Sequence, residues 1–345
     1  MATMQDVAER AGVAKSTVSR VLSGKATISE ATRQRVLAAI DELGFRVNVL
    51  AQALAGNASN VIGLVISNFA GPYFGRLLKE IAAQAELAGK QLMVTDGHDD
   101  PAREQEAVAL LADRRCDAII LYSRSMPEPD LAHLLASSSV PLVVINRQVA
   151  GFAERCVIQD QQQAVREAMD HLLALGHRQI ACISGPLQTQ TARERLAAYR
   201  QSLSEAGIAP AEALIAEGDN LVAGGYQACR ELLARQHPFS ALFAGNDDMA
   251  LGALRALQEA GKRVPQDVSL LGFDDAPASA YLVPSLSTVH MPVEAMAERA
   301  MTVALALASG QAIESKGYFS GELKLRESLA PFFPFGQGNP PCRLI

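Results

Sequence analysis

The amino-acid sequence predicts an all-α helix-turn-helix domain at the N-terminus, followed by an α/β core of two lobes, each built on a doubly wound parallel sheet. Two short amphipathic helix patterns separated by Gly12 predict the N-terminal domain. From Val61 onward, strand patterns of the fully buried type alternate with helix patterns, which is typical of parallel sheets covered on both faces. A chain of 345 residues is long enough for two or three such domains.

The helix-turn-helix pattern runs from Thr3 to Leu22. Thr3 can cap the first helix, with Asp6 three residues later, and Gly12 supplies the left-handed turn that ends this helix. The second helix leaves a row of polar side chains pointing outward: Lys15, Ser16, Thr17, Ser19 and Arg20. Such side chains can reach phosphates and base edges in a major groove, so we predict that they bind DNA together with Thr3. The alternative is an ordinary helical hairpin with a solvated polar face.

A third helix pattern completes the small N-terminal core. Ser29 caps this helix, Glu30 lies favourably at its positive end, and Gly44 ends it. Its apolar stripe is expected to face inward: Val36, Leu37, Ile40 and Leu43.

Charge is distributed unevenly along the chain. The whole sequence carries a formal net charge of −6, yet residues 1–60 hold seven Lys and Arg against five Asp and Glu. A basic N-terminal segment joined to an acidic remainder suits a small DNA-binding domain attached to a sensor. The excess is small, so one copy would bind DNA only weakly.

The cysteines and the hydropathy pattern bear on the compartment. Cys116, Cys156, Cys182, Cys229 and Cys342 have no CxxC spacing, which favours reduced thiols over disulfides or a zinc site. No apolar run is long enough to span a bilayer, and no signal-peptide pattern is visible. We therefore expect a cytoplasmic protein.

The N-terminal motif resembles that of a known family. The order Asp6-Val-Ala-x-x-Ala-Gly-Val-x-x-x-Thr-Val-Ser-Arg-Val-Leu-x-Gly24 is similar to the N-terminal motif of the LacI/GalR repressor family, and the resemblance extends through the whole chain. It implies a periplasmic-binding-protein-like core in which the chain crosses between the lobes three times. The implied parts are a helix-turn-helix domain (1–46), a hinge helix and linker (47–59), a core N-subdomain (60–159 and 291–317), a core C-subdomain (160–290 and 318–335) and a tail (336–345).

The hinge segment carries two further candidate DNA-binding residues. Asn48 is a good helix N-cap and Gly56 a good helix end, so about two helical turns are expected between them. So short a helix is marginal alone and suits a segment that orders on docking. The family resemblance implies that Leu54 is an apolar wedge inserted in the minor groove, although Val47 stands where the family usually has Pro. A plain linker is the alternative.

The core pattern contains eight strands and eight helices. The predicted strands are Val61–Ser67, Gln91–Thr95, Ala118–Tyr122, Leu142–Ile145, Gln179–Ile183, Ala213–Ala216, Ala241–Phe243 and Ser269–Leu271. The predicted helices are Tyr73–Ala88, Pro101–Arg114, one from Leu131, Ala164–Leu175, Arg193–Ala206, Tyr226–Ala234, Met249–Ala260 and Val293–Ala308. The family resemblance implies crossovers near Asp160, His290 and Tyr318, with the last helix returning to the first lobe.

Polar side chains at strand ends predict a cleft for a small hydroxylated ligand, because ligands of such sheets bind beyond the carboxyl ends of the strands. Seven residues are candidates for binding it: Tyr73, Phe74, Asn146, Arg147, Arg195, Asn246 and Asp274. The two aromatic residues could stack on a sugar ring, and the others could hydrogen-bond its hydroxyls. The resemblance implies effector contacts for Arg195, Asn246 and Asp274. The alternative is that these residues are turn residues, helix caps or ion-pair partners.

Enzyme chemistry finds little support in the sequence. Asp274 and Asp275 could act as acid and base, and His98-Asp-Asp100 could bind a metal, but neither group has companion residues. Gly12-Val-Ala-Lys-Ser16 lacks the second glycine of a phosphate-binding loop. We therefore expect no catalysis, no cofactor and no metal.

The predicted function is that of a DNA-binding repressor of a sugar-utilisation operon. Two copies would be needed on a palindromic operator, so a homodimer is expected, and no membrane partner. Ile145-Asn-Arg147 and the following residues resemble the galactose-repressor branch, with the β-glucoside-operon repressor also close. The expected effector is therefore a galactose- or β-glucoside-like sugar. A freestanding sugar-binding protein is the alternative, against which the N-terminal domain argues.

Overall fold

The computed structural model describes residues 2–23, 28–45, 59–67, 69, 71–315 and 318–332. The chain divides into two compact units, Met1–Ser59 and Asn60–Ile345. The predicted hinge residues Asn48 and Leu54 lie outside the described residues, as does the predicted tail.

The described part of the N-terminal unit contains three helices: α1 (Met4–Ala11), α2 (Lys15–Ser23) and α3 (Glu30–Leu43). The predicted cap of α1 is present, since the backbone N–H of Asp6 donates to the Thr3 hydroxyl at 3.3 Å and the backbone N–H of Thr3 donates to the Asp6 carboxylate at 2.7 Å. Gly12 ends α1 in the left-handed conformation, with φ of 64°. Sequence capping rules therefore describe this unit well.

The core of the N-terminal unit is formed by one fully buried valine from each helix, Val7, Val18 and Val36. The prediction that Leu37 faces inward was wrong, because its side chain is 39% exposed. Leu37 is rotated about 100° around the helix from Val36, and Ala39 takes the inward position instead.

The first sheet of the core unit has five parallel strands in the order β2-β1-β3-β4-β5. These strands are β1 (Val61–Ile66), β2 (Gln91–Asp96), β3 (Ala118–Tyr122), β4 (Leu142–Ile145) and β5 (Cys156–Val157). The second sheet has four parallel strands in the order β7-β6-β8-β9. These are β6 (Ile180–Ser184), β7 (Ile215–Glu217), β8 (Ala241–Ala244) and β9 (Ser269–Leu271). Both sheets are thus of the predicted doubly wound type.

Eight helices cover the two sheets in the described part of the core unit: α4 (Pro72–Leu87), α5 (Pro101–Asp113), α6 (Glu128–Ser137), α7 (Gln161–Ala174), α8 (Gln190–Glu205), α9 (Val222–Ala234), α10 (Asp247–Glu259) and α11 (Val293–Ala308). Helix α11 follows the second sheet in sequence but packs against α4, β3 and β4 of the first lobe. Three short 3₁₀ helices occupy Ala153–Arg155, Glu212–Leu214 and Pro277–Tyr281. No described helix is both long and apolar enough to cross a membrane.

The chain passes between the lobes through segments that the sequence did not predict as strands. β10 (Thr288–His290) pairs with β11 (Glu322–Lys324) in an antiparallel ribbon. A single parallel bridge joins Gln159 to Phe319, so the crossover segments are bonded to one another. Both ribbon strands have three residues, too short to produce a period that a sequence window detects. The subdomain boundaries near these segments stay a prediction.

Candidate functional site

The outer face of α2 presents the predicted DNA-binding side chains to solvent. Lys15, Ser16, Ser19 and Arg20 are exposed, and Thr17 is partly buried. Val18, on the opposite side, is fully buried and fixes the helix to the core of the unit. This arrangement lets a row of donors and hydroxyls enter a DNA groove without disturbing the packing behind it.

Thr3 has a second role, because its hydroxyl already caps α1. Contact with a phosphate would have to come from its remaining hydrogen-bonding capacity or from the N-terminal end of the helix. Arg10, at the other end of α1, donates to Glu42 of α3 at 2.8 Å. Because both side chains are more than half exposed, this ion pair contributes little to stability.

A cleft of about 400 Å³ lies between the two lobes of the core unit. Its walls come from both lobes, with Tyr73 and Phe74 at the start of α4 on one side and Asn246 at the start of α10 on the other. Its size and position fit a small ligand bound at the carboxyl ends of the strands. Five of the seven predicted effector-binding residues line it: Tyr73, Phe74, Arg195, Asn246 and Asp274.

Arg195 and Asp274 form the centre of the second-lobe wall. Arg195 Nη2 donates to Asp274 Oδ1 at 3.2 Å, and its Nε donates to Gln161 Oε1 at 2.8 Å. Its Nη1 donates to the backbone oxygen of Gly245, and its guanidinium lies 3.7 Å from the ring centroid of Phe273. Burial raises the pKa of the Asp274 carboxyl, whereas the neighbouring Arg195 lowers it. The guanidinium of Arg195 and the carboxylate of Asp274 are therefore held in fixed orientations, in which they can donate to and accept from ligand hydroxyls.

The aromatic wall of the first lobe is a packed cluster. Tyr73, Phe74 and Tyr122 contact one another edge to face, with ring centroids 5.0 to 5.8 Å apart. Phe74 is only 6% exposed, so most of its ring faces protein. Tyr73 is partly exposed, and its hydroxyl accepts a hydrogen bond from Gln159 at 2.9 Å. Of the two predicted aromatic residues, Tyr73 is the one with ring surface to offer a ligand.

Asn246 is first of all a helix cap. Its side-chain oxygen accepts from the backbone N–H of Met249 at 2.8 Å, and its amide donates to the backbone oxygen of Asn220 at 2.9 Å. It still lines the cleft, so its predicted role in binding the effector stays a prediction alongside its role as a cap. The cap holds its amide group in a fixed direction, which leaves one donor and one lone pair for a ligand.

Asn146 and Arg147 do not line the cleft, in contrast to the other five predicted residues. Asn146 is 7% exposed and donates to Thr191 of the second lobe at 2.9 Å. Arg147 is 5% exposed and donates to the backbone oxygen of Met126 at 2.6 Å. Asn146 thus joins the lobes behind the ligand space, and Arg147 braces the first lobe.

Several cleft residues were missed by the sequence analysis. Arg124 and Asp99 follow β3 and β2, and they form an ion pair in which Arg124 Nη2 donates to Asp99 Oδ1 at 2.6 Å. Applying the strand-end rule to every strand would have found both. Arg76 also lines the cleft, but it lies inside α4, where no sequence signal separates it from surface charges. Asp248, one of the polar residues that follow β8, lines the cleft as well.

Of the acidic pair considered for catalysis, Asp275 makes structural contacts, as does the buried Asp247 at the start of α10. Asp275 accepts from Arg326 at 2.6 Å and lies 3.0 Å from His290. Asp247 is almost completely buried and accepts from the backbone N–H of Ala276 and from two hydroxyls, and burial raises its pKa to about 7. These bonds fix the turn that carries Asp274.

Comparison with known proteins agrees with this architecture. Residues 3–48 match the family model "Bacterial regulatory proteins, lacI family", and residues 169–329 match "Periplasmic binding protein-like domain". The transcriptional regulator AscG of Escherichia coli K12 is 40% identical over 331 residues, covering 95% of this chain and 98% of that protein. The regulator GalR of the same organism is 37% identical, covering 96% of each.

Solved structures agree as well. The Lac repressor dimer bound to operator and the anti-inducer ONPF has a TM-score of 0.88 with 31% identity, covering 95% of this chain and 99% of that one. The crystal structure of the Escherichia coli repressor ascG has a TM-score of 0.72 with 38% identity, covering 78% of this chain and 99% of that one. The chain described here belongs to the LacI family of bacterial transcription regulators.

Proposed function

We propose that this protein is a cytoplasmic repressor of a sugar-utilisation operon, released from its operator by a galactose- or β-glucoside-like sugar bound between the lobes. The observation that carries the proposal is the combination, in one chain, of an exposed polar helix and a two-walled polar cleft. Arg20 and its neighbours on α2 would contact bases and phosphates, and Asn48 and Leu54 would act in the minor groove. Arg195, Asn246 and Asp274 would hold sugar hydroxyls opposite Tyr73.

The switch depends on the sugar touching both lobes. A ligand shifts an equilibrium between open and closed clefts only through contacts that differ between the two states. Hydrogen bonds already cross between the lobes here, among them those from Arg76 to the backbone oxygen of Asp274 at 3.1 Å, from Asn146 to Thr191, and from Gln190 to the backbone oxygen of Arg124. A bridging sugar would add to this set and favour closure. The resulting movement of the first lobes would separate the hinge segments of a dimer.

A homodimer is part of the proposal. A DNA-binding domain with so small an excess of basic residues needs two copies at a fixed spacing to bind DNA specifically. Tyr281 and Val283 in the second lobe are 86% and 84% exposed, and Leu87 in the first lobe is 82% exposed. Large apolar side chains so exposed suit an interface that a second copy covers.

The test uses the full-length protein. Its operator would first be recovered from fragments of genomic DNA by repeated selection, and specific affinity would then be measured by fluorescence anisotropy. We expect binding to a palindromic site and release by one or a few sugars among galactosides and β-glucosides. Binding without sequence preference, or specific binding that no sugar alters, would contradict the proposal.

A further inference from the structure

The arginines of the cleft are already satisfied by protein groups. Arg76 Nη1 donates to the backbone oxygens of Asp274 and Asp275 at 3.1 Å each, and its Nη2 donates to Glu294 at 2.9 Å. Arg124 donates through Nε and Nη2 to the carboxylate of Asp99. Arg195 is held by Asp274, Gln161 and Gly245, as described above. Among the described cleft residues, every arginine therefore has at least one carboxylate partner.

Asp248 is in the opposite situation. It is the second residue of α10, lines the cleft and is partly buried. Within the described parts of the chain, no donor reaches its carboxylate, in contrast to Asp219, which accepts from the backbone N–H of Leu221 at 2.8 Å. A Cβ atom built on Gly71 of the first lobe would lie 3.4 Å from Asp248 Oδ2, so this carboxylate approaches the opposite wall.

The electrostatic environment of Asp248 is unfavourable for a charged group. Burial raises the pKa of its carboxyl, and the nearby Asp274 raises it further. A partly buried carboxylate without donors is costly, and ligand hydroxyl groups that donate to it would relieve that cost. The helix N-terminus behind Asp248 offsets part of the charge.

We propose that Asp248 selects the effector, and that the effector is an uncharged sugar which donates hydroxyl hydrogens to this carboxylate, rather than a phosphorylated or carboxylated sugar. The inference rests on the proposed function, since it assigns the chemical class bound in the same cleft. A carboxylate only accepts hydrogen bonds, so it favours hydroxyl donors. A sugar phosphate would need a cation not already paired with a carboxylate, and it would be repelled by Asp248 in a cleft of low dielectric constant.

The experiment is titration calorimetry of the full-length protein with matched pairs: galactose and galactose 6-phosphate, and methyl β-glucoside and its 6-phosphate. We expect the neutral member of at least one pair to bind about 10- to 100-fold more tightly, the range of a hydrogen bond to a charged group. Asp248→Asn keeps the shape of the side chain and removes its charge. This substitution should lower the affinity for the neutral sugar and reduce the ratio of that affinity to the affinity for the phosphorylated sugar.

Asp219→Asn is the matched control, because it removes the same charge from an exposed cleft residue whose carboxylate already has a partner. It should leave the ratio of the two affinities largely unchanged. Thermal midpoint and operator affinity of each variant separate a folding defect from a change in selectivity. A ratio that is unaltered in Asp248→Asn, or tighter binding of the phosphate by the wild type, would overturn the inference. If none of the four sugars binds and none alters operator affinity, the proposed function fails together with it.

Discussion

The outer side chains of α2 are exposed to solvent, whereas the polar side chains of the cleft are mostly buried and bonded to one another. The exposed side chains of α2 include Lys15, Ser16, Ser19 and Arg20, while Val18 on the opposite side packs into the core of the unit. In the cleft, Arg195 and Asp274 are 12% and 15% exposed and belong to a network that includes Gln161. The outer face of α2 is therefore positioned by the packing of Val18 behind it, and the cleft by the mutual contacts of its side chains.

This difference has consequences for binding. A ligand that meets solvated side chains gains new contacts, and much of its affinity depends on salt. A ligand that enters a pre-formed network exchanges existing hydrogen bonds for its own, so it is selected by geometry and by the groups that remain unsatisfied. Mutations in the two regions should therefore differ in which affinity they change.

The largest effect is expected for Arg20→Ala on the outer face of α2, where we predict a base contact. Losing a base contact costs about 1–3 kcal/mol of specific binding at each half-site, and a dimer carries the change twice. Non-specific binding should fall much less, because it depends mainly on phosphate contacts. Anisotropy titrations against operator and scrambled DNA at one salt concentration measure both affinities.

Arg10→Ala is a suitable control for Arg20→Ala. It removes the same charge from the same unit, but Arg10 is paired with Glu42 of α3 rather than lying on the outer face of α2. If the two substitutions lower specific affinity equally, the assignment of α2 as the recognition helix is wrong.

A smaller effect of opposite regulatory sign is expected for Asp274→Ala. Removing a charged hydrogen bond to a sugar hydroxyl should raise the effector concentration needed for release by roughly 10- to 100-fold, while operator affinity stays nearly intact. Asp274→Asn should keep the shape of the turn and raise the effector concentration needed for release by less than Asp274→Ala does. Operator affinity and effector response would be measured on the same purified variant. Loss of operator binding in a folded Asp274→Ala protein would refute the separation of the two regions.

Much of the fold could be predicted because it depends on local pattern. The strands Ala118–Tyr122, Leu142–Ile145 and Ser269–Leu271 were predicted to the residue, since buried runs have sharp apolar edges. Several helices begin about three residues before their predicted first residue. The chain enters α7, α8 and α10 from the caps Asp160, Thr189 and Asn246, and the first helical turn after each is polar. Apolar periodicity detects only the turns after that one.

The site was less predictable because its members are related only in space. Asn146 and Asp274 look alike in sequence, since each follows a buried strand. They also share a positive φ in the structure. Asn146 turns behind the cleft toward Thr191, whereas Asp274 lies in it beside Arg195. Asp248 lies two residues beyond the capping residue Asn246 and carries no mark that separates it from an ordinary helix N-terminal acid. Only the three-dimensional arrangement distinguishes these cases.

The last effect acts on folding stability rather than on binding and concerns pH, which should also distinguish the two regions. In the N-terminal unit, Asp6 and Glu42 have lowered pKa values because they accept hydrogen bonds, from Thr3 and Arg10 respectively. In the core unit, burial raises the pKa of Glu104, behind the cleft, to about 7. Glu104 is fully buried, and Ser123 donates to its Oε2 at 2.6 Å while Oε1 has no partner among the described residues.

A carboxyl whose pKa is higher in the folded than in the unfolded state stabilises the protein at low pH, and this contribution is lost as pH rises through the folded value. For Glu104 the loss should occur between about pH 4.5, its ordinary pKa, and about pH 7. Glu104→Gln keeps an acceptor for Ser123 and cannot ionise. Across this window the unfolding free energy of the wild type should therefore fall by on the order of 1–3 kcal/mol more than that of the variant. The thermal midpoint of the wild type should fall further accordingly. Asp99, Arg124 and Arg147 are the charged groups that act on it. Because the chain contains no Trp, circular dichroism is the appropriate signal. Parallel curves for wild type and variant from pH 4.5 to 8 would mean that Glu104 is ionised throughout the folded state and that burial does not control it.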